Sequence, residues 1–216
     1  LLKEQGGGSV ITQWIAAERR ELAGVLDRLS PGEWDAPTLC AEWSVRHVVA
    51  HLTMPFRYSM PRFLREIVKA GGRFQRMSDA AARRDAALPV AQLIAAVRDN
   101  AEHSWRPPGG GYEGALTHDV IHSLDITRAL GIELAIPAEP MTAVLDTVAG
   151  PKSRGFFGVH SGGVELRAVD LDWSCGSGPP LLGRAQDLAL LLTGRSVPPG
   201  AFEGAGAADW AGSGRS

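Results

Sequence analysis

Lysine is nearly missing from this chain: Lys3, Lys69 and Lys152 stand against a combined Lys and Arg total of 22. Arginine carries the positive charge, and with the Ala and Gly richness this is the composition of a GC-rich bacterial genome. Acidic and basic residues nearly cancel, to a net charge of −2. The basic footprint of a nucleic-acid-binding domain is therefore lacking, and nucleic acid is not an expected partner. Cysteine is also scarce. Cys40 and Cys175 are isolated, with no CxxC spacing, which argues against a disulfide framework. No apolar run is long enough to span a bilayer, so no membrane is expected. The first eight residues lack the hydrophobic stretch of a signal peptide and no Met begins the chain. The expected compartment is cytoplasmic, with the start trimmed or omitted.

What is there is ordinary for a soluble globular protein: 44% apolar and 21% charged residues over 216 positions. That length suits one sizeable domain with a small appendage. Ile15, Leu22, Val25, Leu26 and Leu29 recur at helical spacing over residues 10–29, and Ser30-Pro31-Gly32 ends the run. Ser44 suits the N-cap of a second helix, beginning at Val45, which Pro55 and Pro61 kink or divide before Ala70. Helices are predicted over residues 78–87 and 89–105, and Pro107-Pro108 with Gly109 to Gly111 break the chain. A helix from Tyr112 to Leu130, with Gly131 as its C-cap, and a short one over residues 138–149 follow. Beyond Gly150, strand-like alternation is expected at Phe156-Phe157, Val164 to Ala168 and Val169 to Trp173. A last helix spans Arg184 to Thr193. The expected architecture is mainly α, a helical bundle over residues 10–150 followed by a small α+β domain over 151–197. Residues 198–216 are expected to be a loose tail on which only Phe202 and Trp210 could dock.

Six histidines include two pairs at i,i+4, His47/His51 and His118/His122. On a helix that spacing puts both imidazoles on one face, close enough to hold one metal ion or simply to bond helix carbonyls. The HExxH pattern is absent, since Val48 and Asp119 follow the first His of each pair, which excludes a zincin-type protease. Val45, Val48, Val49 and Leu52 form an apolar stripe with His51 at its border, whereas His47 lies further round. His51 is thus the expected ligand, and His47 is an outer partner or merely exposed. The helix carrying His118 and His122 is apolar around most of its circumference, so it is central and buried, and imidazoles inside it need a partner or a cation. Asp125 shares their stripe. It either accepts a ligand histidine's N–H or pairs with Arg128.

The stretch from Trp34 through Cys40 and Trp43 to His51-Leu52 resembles the opening motif of the mycothiol-dependent maleylpyruvate isomerase N-terminal domain, within the wider DinB-like group of metal-binding four-helix bundles. The stretch His118 to Gly131 looks like that group's second metal motif. Residues Gly178 to Arg195 are similar to the small C-terminal domain of these isomerases. The resemblance implies a DinB-like four-helix bundle in which His51, His118 and His122 hold a divalent cation, usually zinc. It implies mycothiol or another low-molecular-weight thiol as cofactor, an actinobacterial source, and a small electrophilic substrate. It also matches Arg195 to an arginine facing the active site, the alternative being a charge that complements a helix C-terminus. Two departures stand out. His118 occupies a position where the isomerase resembles Glu, leaving the site one unit more positive and more favourable to thiolate or hydroxide. His47 stands where many relatives carry Asp. Both count against maleylpyruvate as the substrate.

A three-His cation with an open position can bind a thiol and keep it deprotonated. Addition of that sulfur to a conjugated double bond, rotation and expulsion would give cis–trans isomerisation; displacement of a leaving group would give S-transfer. Arg195 would steady the developing oxyanion. Cys40 and Cys175 are not expected to be nucleophiles. Two other functions stay open: a thiol-independent metal enzyme on the same scaffold, and a non-catalytic metal- or ligand-binding stress protein. The assembly is expected to be a monomer or homodimer.

Overall fold

Contacts in the computed structural model, which describes residues 4–158, 163–198, 200–207 and 210, divide the chain into two units, Leu1–Leu134 and Ala135–Ser216. The first unit is all helix. Helix α1 (Glu4–Arg28) buries Ile11, Ile15, Leu22 and Leu26 along one stripe and places Arg28 in its last turn, where a cation complements the helix dipole. A short 3-10 turn, Glu33–Asp35, then buries Trp34. Helix α2 (Val45–Arg57) starts at Ser44, and Pro55 falls in its last turns without stopping it. The break comes at Tyr58 and Ser59, and Pro61 stands at the start of α3 (Met60–Lys69), where a missing N–H leaves no bond unmade.

Helices α4 (Phe74–Asp85), α5 (Val90–Arg98) and α6 (Gly111–Thr127) complete the unit. Helices α1, α2, α5 and α6 form the four-helix core, with α4 laid against α2 and α3 against α4. Twelve of the seventeen α6 residues are buried, so the buried polar side chains on that helix need hydrogen-bond partners from the protein or from bound water.

The second unit holds α7 (Ala138–Ala149), α8 (Pro151–Phe157), α9 (Ala185–Leu192) and a small sheet. Its strands are β1 (Glu165–Ala168), β2 (Ser174–Gly176), β3 (Pro180–Gly183) and β4 (Phe202–Glu203), in the order β2-β1-β3-β4. The β1–β3 pair is parallel and the two outer pairs are antiparallel. Helix α7 packs on α8 and α9, and α9 packs on β1. The expectation that the bundle extends to residue 150 thus differs from the observed contacts of α7.

Three local expectations are corrected. Phe156-Phe157 is helical, because Pro151 at the start and Gly158 at φ 67° enclose a helix between them. Val169 to Trp173 turns instead of running straight: Asp170 Oδ1 accepts the Ala185 N–H at 2.8 Å and Trp173 Nε1 donates to Asp146 at 2.8 Å. Part of the supposed loose tail is strand β4, since a Cβ at Gly183 would lie 2.6 Å from the Phe202 ring, and only glycine lets that ring close over β3. Trp210 is half-buried, and residues 211–216 lie outside the described residues.

Candidate metal centre

His51 lies near the middle of α2, and His118 and His122 lie one turn apart on α6. Because α2 packs on α6, the three imidazoles meet. Their ring centroids form a nearly equilateral triangle with sides of 5.0, 4.8 and 4.9 Å. His51 Nε2 and His118 Nε2 are 3.0 Å apart, and one nitrogen from each ring lies within 4.8 Å of the other two.

The Nδ1 atoms are occupied elsewhere. His118 Nδ1 faces Asp119 Oδ1 at 3.0 Å, His122 Nδ1 faces Asp125 Oδ2 at 2.9 Å, and His51 Nδ1 faces Ser78 Oγ on α4 at 2.9 Å. A carboxylate can only accept, so His118 and His122 carry the proton on Nδ1 and turn a bare Nε2 lone pair inward. The Ser78 hydroxyl serves either tautomer of His51, donating when the ring bonds His118 and accepting when its Nε2 is needed as a donor to a cation. Imidazole nitrogens 2.0–2.1 Å from one tetrahedral ion would be about 3.3 Å apart. The observed spacing brackets that value, so the donor set fits a divalent cation with a position left open.

Charge supports the arrangement. Burial alone would raise the Asp119 carboxyl, but the His118 ring and the Arg19 guanidinium outweigh it and hold the acid below its usual range. Arg19 Nε donates to Asp119 Oδ2 at 2.7 Å, with both side chains almost fully buried. Asp125 is fully buried beside His122.

Two tryptophans flank the trio. Trp43 lies 5.1 Å from the His51 ring and 6.5 Å from His122, and Trp105 meets His118 edge-on at 5.1 Å. The loop that carries Trp43 is pinned: Thr38 Oγ1 donates to the Trp43 carbonyl at 2.8 Å, and Leu39 N–H donates to the Asp125 carbonyl at 3.1 Å. Trp43 Nε1 donates to Asp79 at 2.9 Å. The same loop brings Cys40, not expected to be a nucleophile, close to the site: its sulfur lies within 4.8 Å of donor atoms on His122 and Asp125.

His47 has a different task. Its Nδ1 accepts the Ser44 N–H at 3.2 Å and sits 2.8 Å from the Ser44 hydroxyl, closing the capping box that starts α2. Burial and the nearby Arg83 lower its basicity, in keeping with a neutral acceptor. Arg195 belongs to the second unit, just past α9, where its Nη1 donates to the Thr193 carbonyl at 2.9 Å. Cys175 is on β2 in that same unit. The structure therefore gathers His51, His118, His122 and Asp125, and gives His47 to the helix cap.

Sequence reasoning passed over Ser78, Asp119 and the tryptophans as site residues. Asp119 was legible as a carboxylate beside a histidine on a buried helix. Ser78 had no local signal, because α4 reaches His51 only through tertiary packing.

Residues 15–106 match the family described as the mycothiol maleylpyruvate isomerase N-terminal domain; the match contains His51 and ends before α6. A solved structure of the mycothiol-dependent maleylpyruvate isomerase superposes with a TM-score of 0.50 at 14% identity, covering 92% of this chain and 93% of that one. A histidine-to-alanine variant of that enzyme gives the same values. No curated protein matches the sequence. The solved structures establish a shared fold, and residues 15–106 are similar in sequence to the mycothiol maleylpyruvate isomerase N-terminal domain.

Proposed function

We propose that this protein is a divalent-cation-dependent enzyme that directs the sulfur of a low-molecular-weight thiol, mycothiol or a relative, at a small electrophile, in an isomerisation or an S-transfer. The observation that carries the reading is the orientation of three rings. Each Nδ1 is tethered by Asp119, Asp125 or Ser78, so that the three Nε2 atoms can face one point. His51, His118 and His122 would hold the ion, zinc by the donor type. Such an ion supplies Lewis acidity, lowering the pKa of a thiol or water that reaches it.

The chain's own residues do the rest. Asp119 and Asp125 fix the tautomers and make the rings better donors. The faces of Trp43 and Trp105 limit water beside the trio and offer flat apolar surface to a conjugated substrate. With three neutral imidazoles as donors, the centre keeps its full positive charge and favours an anionic sulfur. For Arg195, the family resemblance implies a cation that steadies negative charge on substrate oxygen; within its own unit its Nη1 donates to the Thr193 carbonyl.

The test is elemental analysis of protein purified without chelator, followed by thiol turnover. One divalent ion per chain is expected, removable by chelation together with thiol-dependent activity toward a small conjugated carbonyl in the presence of mycothiol. A protein that takes up no ion, or that turns over the electrophile equally well without thiol, would overturn the proposal.

A further inference from the structure

Behind the imidazole trio, between α1, α2, α5 and α6, lies a small cavity whose polar lining is Glu18, Arg19, Asp119 and Ser123. About 10 Å³ is open to the centre of a water molecule, enough for a single water. Three buried polar atoms of these residues have no hydrogen-bond partner among the described residues: Glu18 Oε1, Arg19 Nη2 and Ser123 Oγ. Glu18 and Arg19 are more than nine-tenths buried and Ser123 fully so. Orphaned groups at this depth are costly, and one water with three hydrogen bonds satisfies all three. Leu52 and Phe56 of α2 close the apolar side.

The cavity is wired to the metal centre. Arg19, whose Nη1 is spent on the carbonyls of Asn100, Ala101 and His103, donates through Nε to Asp119, and Asp119 faces His118. We infer that this cavity is a water-binding site in which Glu18 holds an exchangeable proton, released when a divalent cation loads the trio. The coupling rests on the reading that the trio binds a cation; the water site does not.

The direction follows from charge. Glu18 is pushed up to about 7 chiefly by burial, with Asp119 and Glu21 adding to the rise. Arg19 shares the cavity and is already paired with Asp119, and His103 beside Arg19 has its own basicity lowered by burial and by that guanidinium. A dication added at the far end of the Asp119–His118 link favours the ionised carboxylate. A group half-protonated at pH 7 then gives up about half a proton.

Zinc titration calorimetry at pH 7, in buffers of different ionisation enthalpy, counts the protons released by the full-length protein and by Glu18→Gln. The wild type should release about half a proton more per zinc. Equal release with zinc bound to both would overturn the coupling, and zinc bound by neither would overturn the reading of the trio and the coupling with it. Two measurements on metal-free protein test the site alone. A high-resolution crystal structure should show one water bonded to Glu18, Arg19 and Ser123, and a dry cavity would overturn the site. Infrared difference spectra between pH 6 and 8 should show a buried carboxylic acid band that Glu18→Gln lacks. A band unchanged by the substitution would overturn the assignment of the proton.

Discussion

At the scale of single residues, the four helical histidines separate into two kinds although their spacing is the same. His51, His118 and His122 point at one another, while His47 turns back to its own helix start. Alanine at His51, His118 or His122 should therefore take bound zinc from one ion per chain to none, by elemental analysis after reconstitution. His47→Ala should keep the ion and lose about 1 kcal/mol of stability, the usual worth of a cap. Loss of the ion in His47→Ala would refute the ligand assignment.

Glu18 belongs to the same scale and has an opposite electrostatic sense. Below pH 4.5 the acid is protonated whether the chain is folded or not. Between that ordinary value and about 7, the unfolded chain ionises while the folded one keeps its proton. Stability is thus fully present at low pH and falls as pH rises through 7, by about 3 kcal/mol in total. Denaturant melts at pH 5 and pH 8 should show Glu18→Gln gaining relative to wild type at the higher pH. A difference independent of pH would mean that Glu18 is ionised in the native protein.

At the scale of elements, α2 and α6 supply the ligands and α4 holds one of them in place. Ser78 links α4 to the trio and fixes the orientation of the His51 ring. Ser78→Ala should weaken zinc binding by about 10- to 100-fold without abolishing it, as loss of an outer partner typically does; competition with a chromogenic chelator measures this. An unchanged affinity would show that α6 alone orients the site. The elements themselves were legible where burial is periodic: α1, α2, α6 and α7 follow from apolar spacing and from their Pro and Gly boundaries. The small sheet was less so. Two prolines open the β3 segment and hide its pattern, and β4 depends on Phe202 reaching Gly183, a contact no window of sequence displays. The same limit hid Ser78 and the Glu18 cavity, each formed by helices distant in sequence.

At the scale of the whole molecule, the question is where a bound ion changes the stability of the chain. All three proposed donors and their Nδ1 partners belong to the unit Leu1–Leu134. An ion that binds only the folded state stabilises it by about 2.7 kcal/mol at a hundredfold excess over Kd. That gain should be visible as slower amide exchange in peptides from α2, α4 and α6, where closing the ring triangle ties three helices together. The network extends to α1 through the Arg19–Asp119 pair, so α1 peptides near Arg19 should follow. Exchange measured with zinc and with chelator decides the matter: protection that rises only in α7, α9 or the sheet would put the ion in the other unit. The helix junction would then be a hydrogen-bonded core of histidines and acids, with Ser78 donating to His51 and His51 to His118.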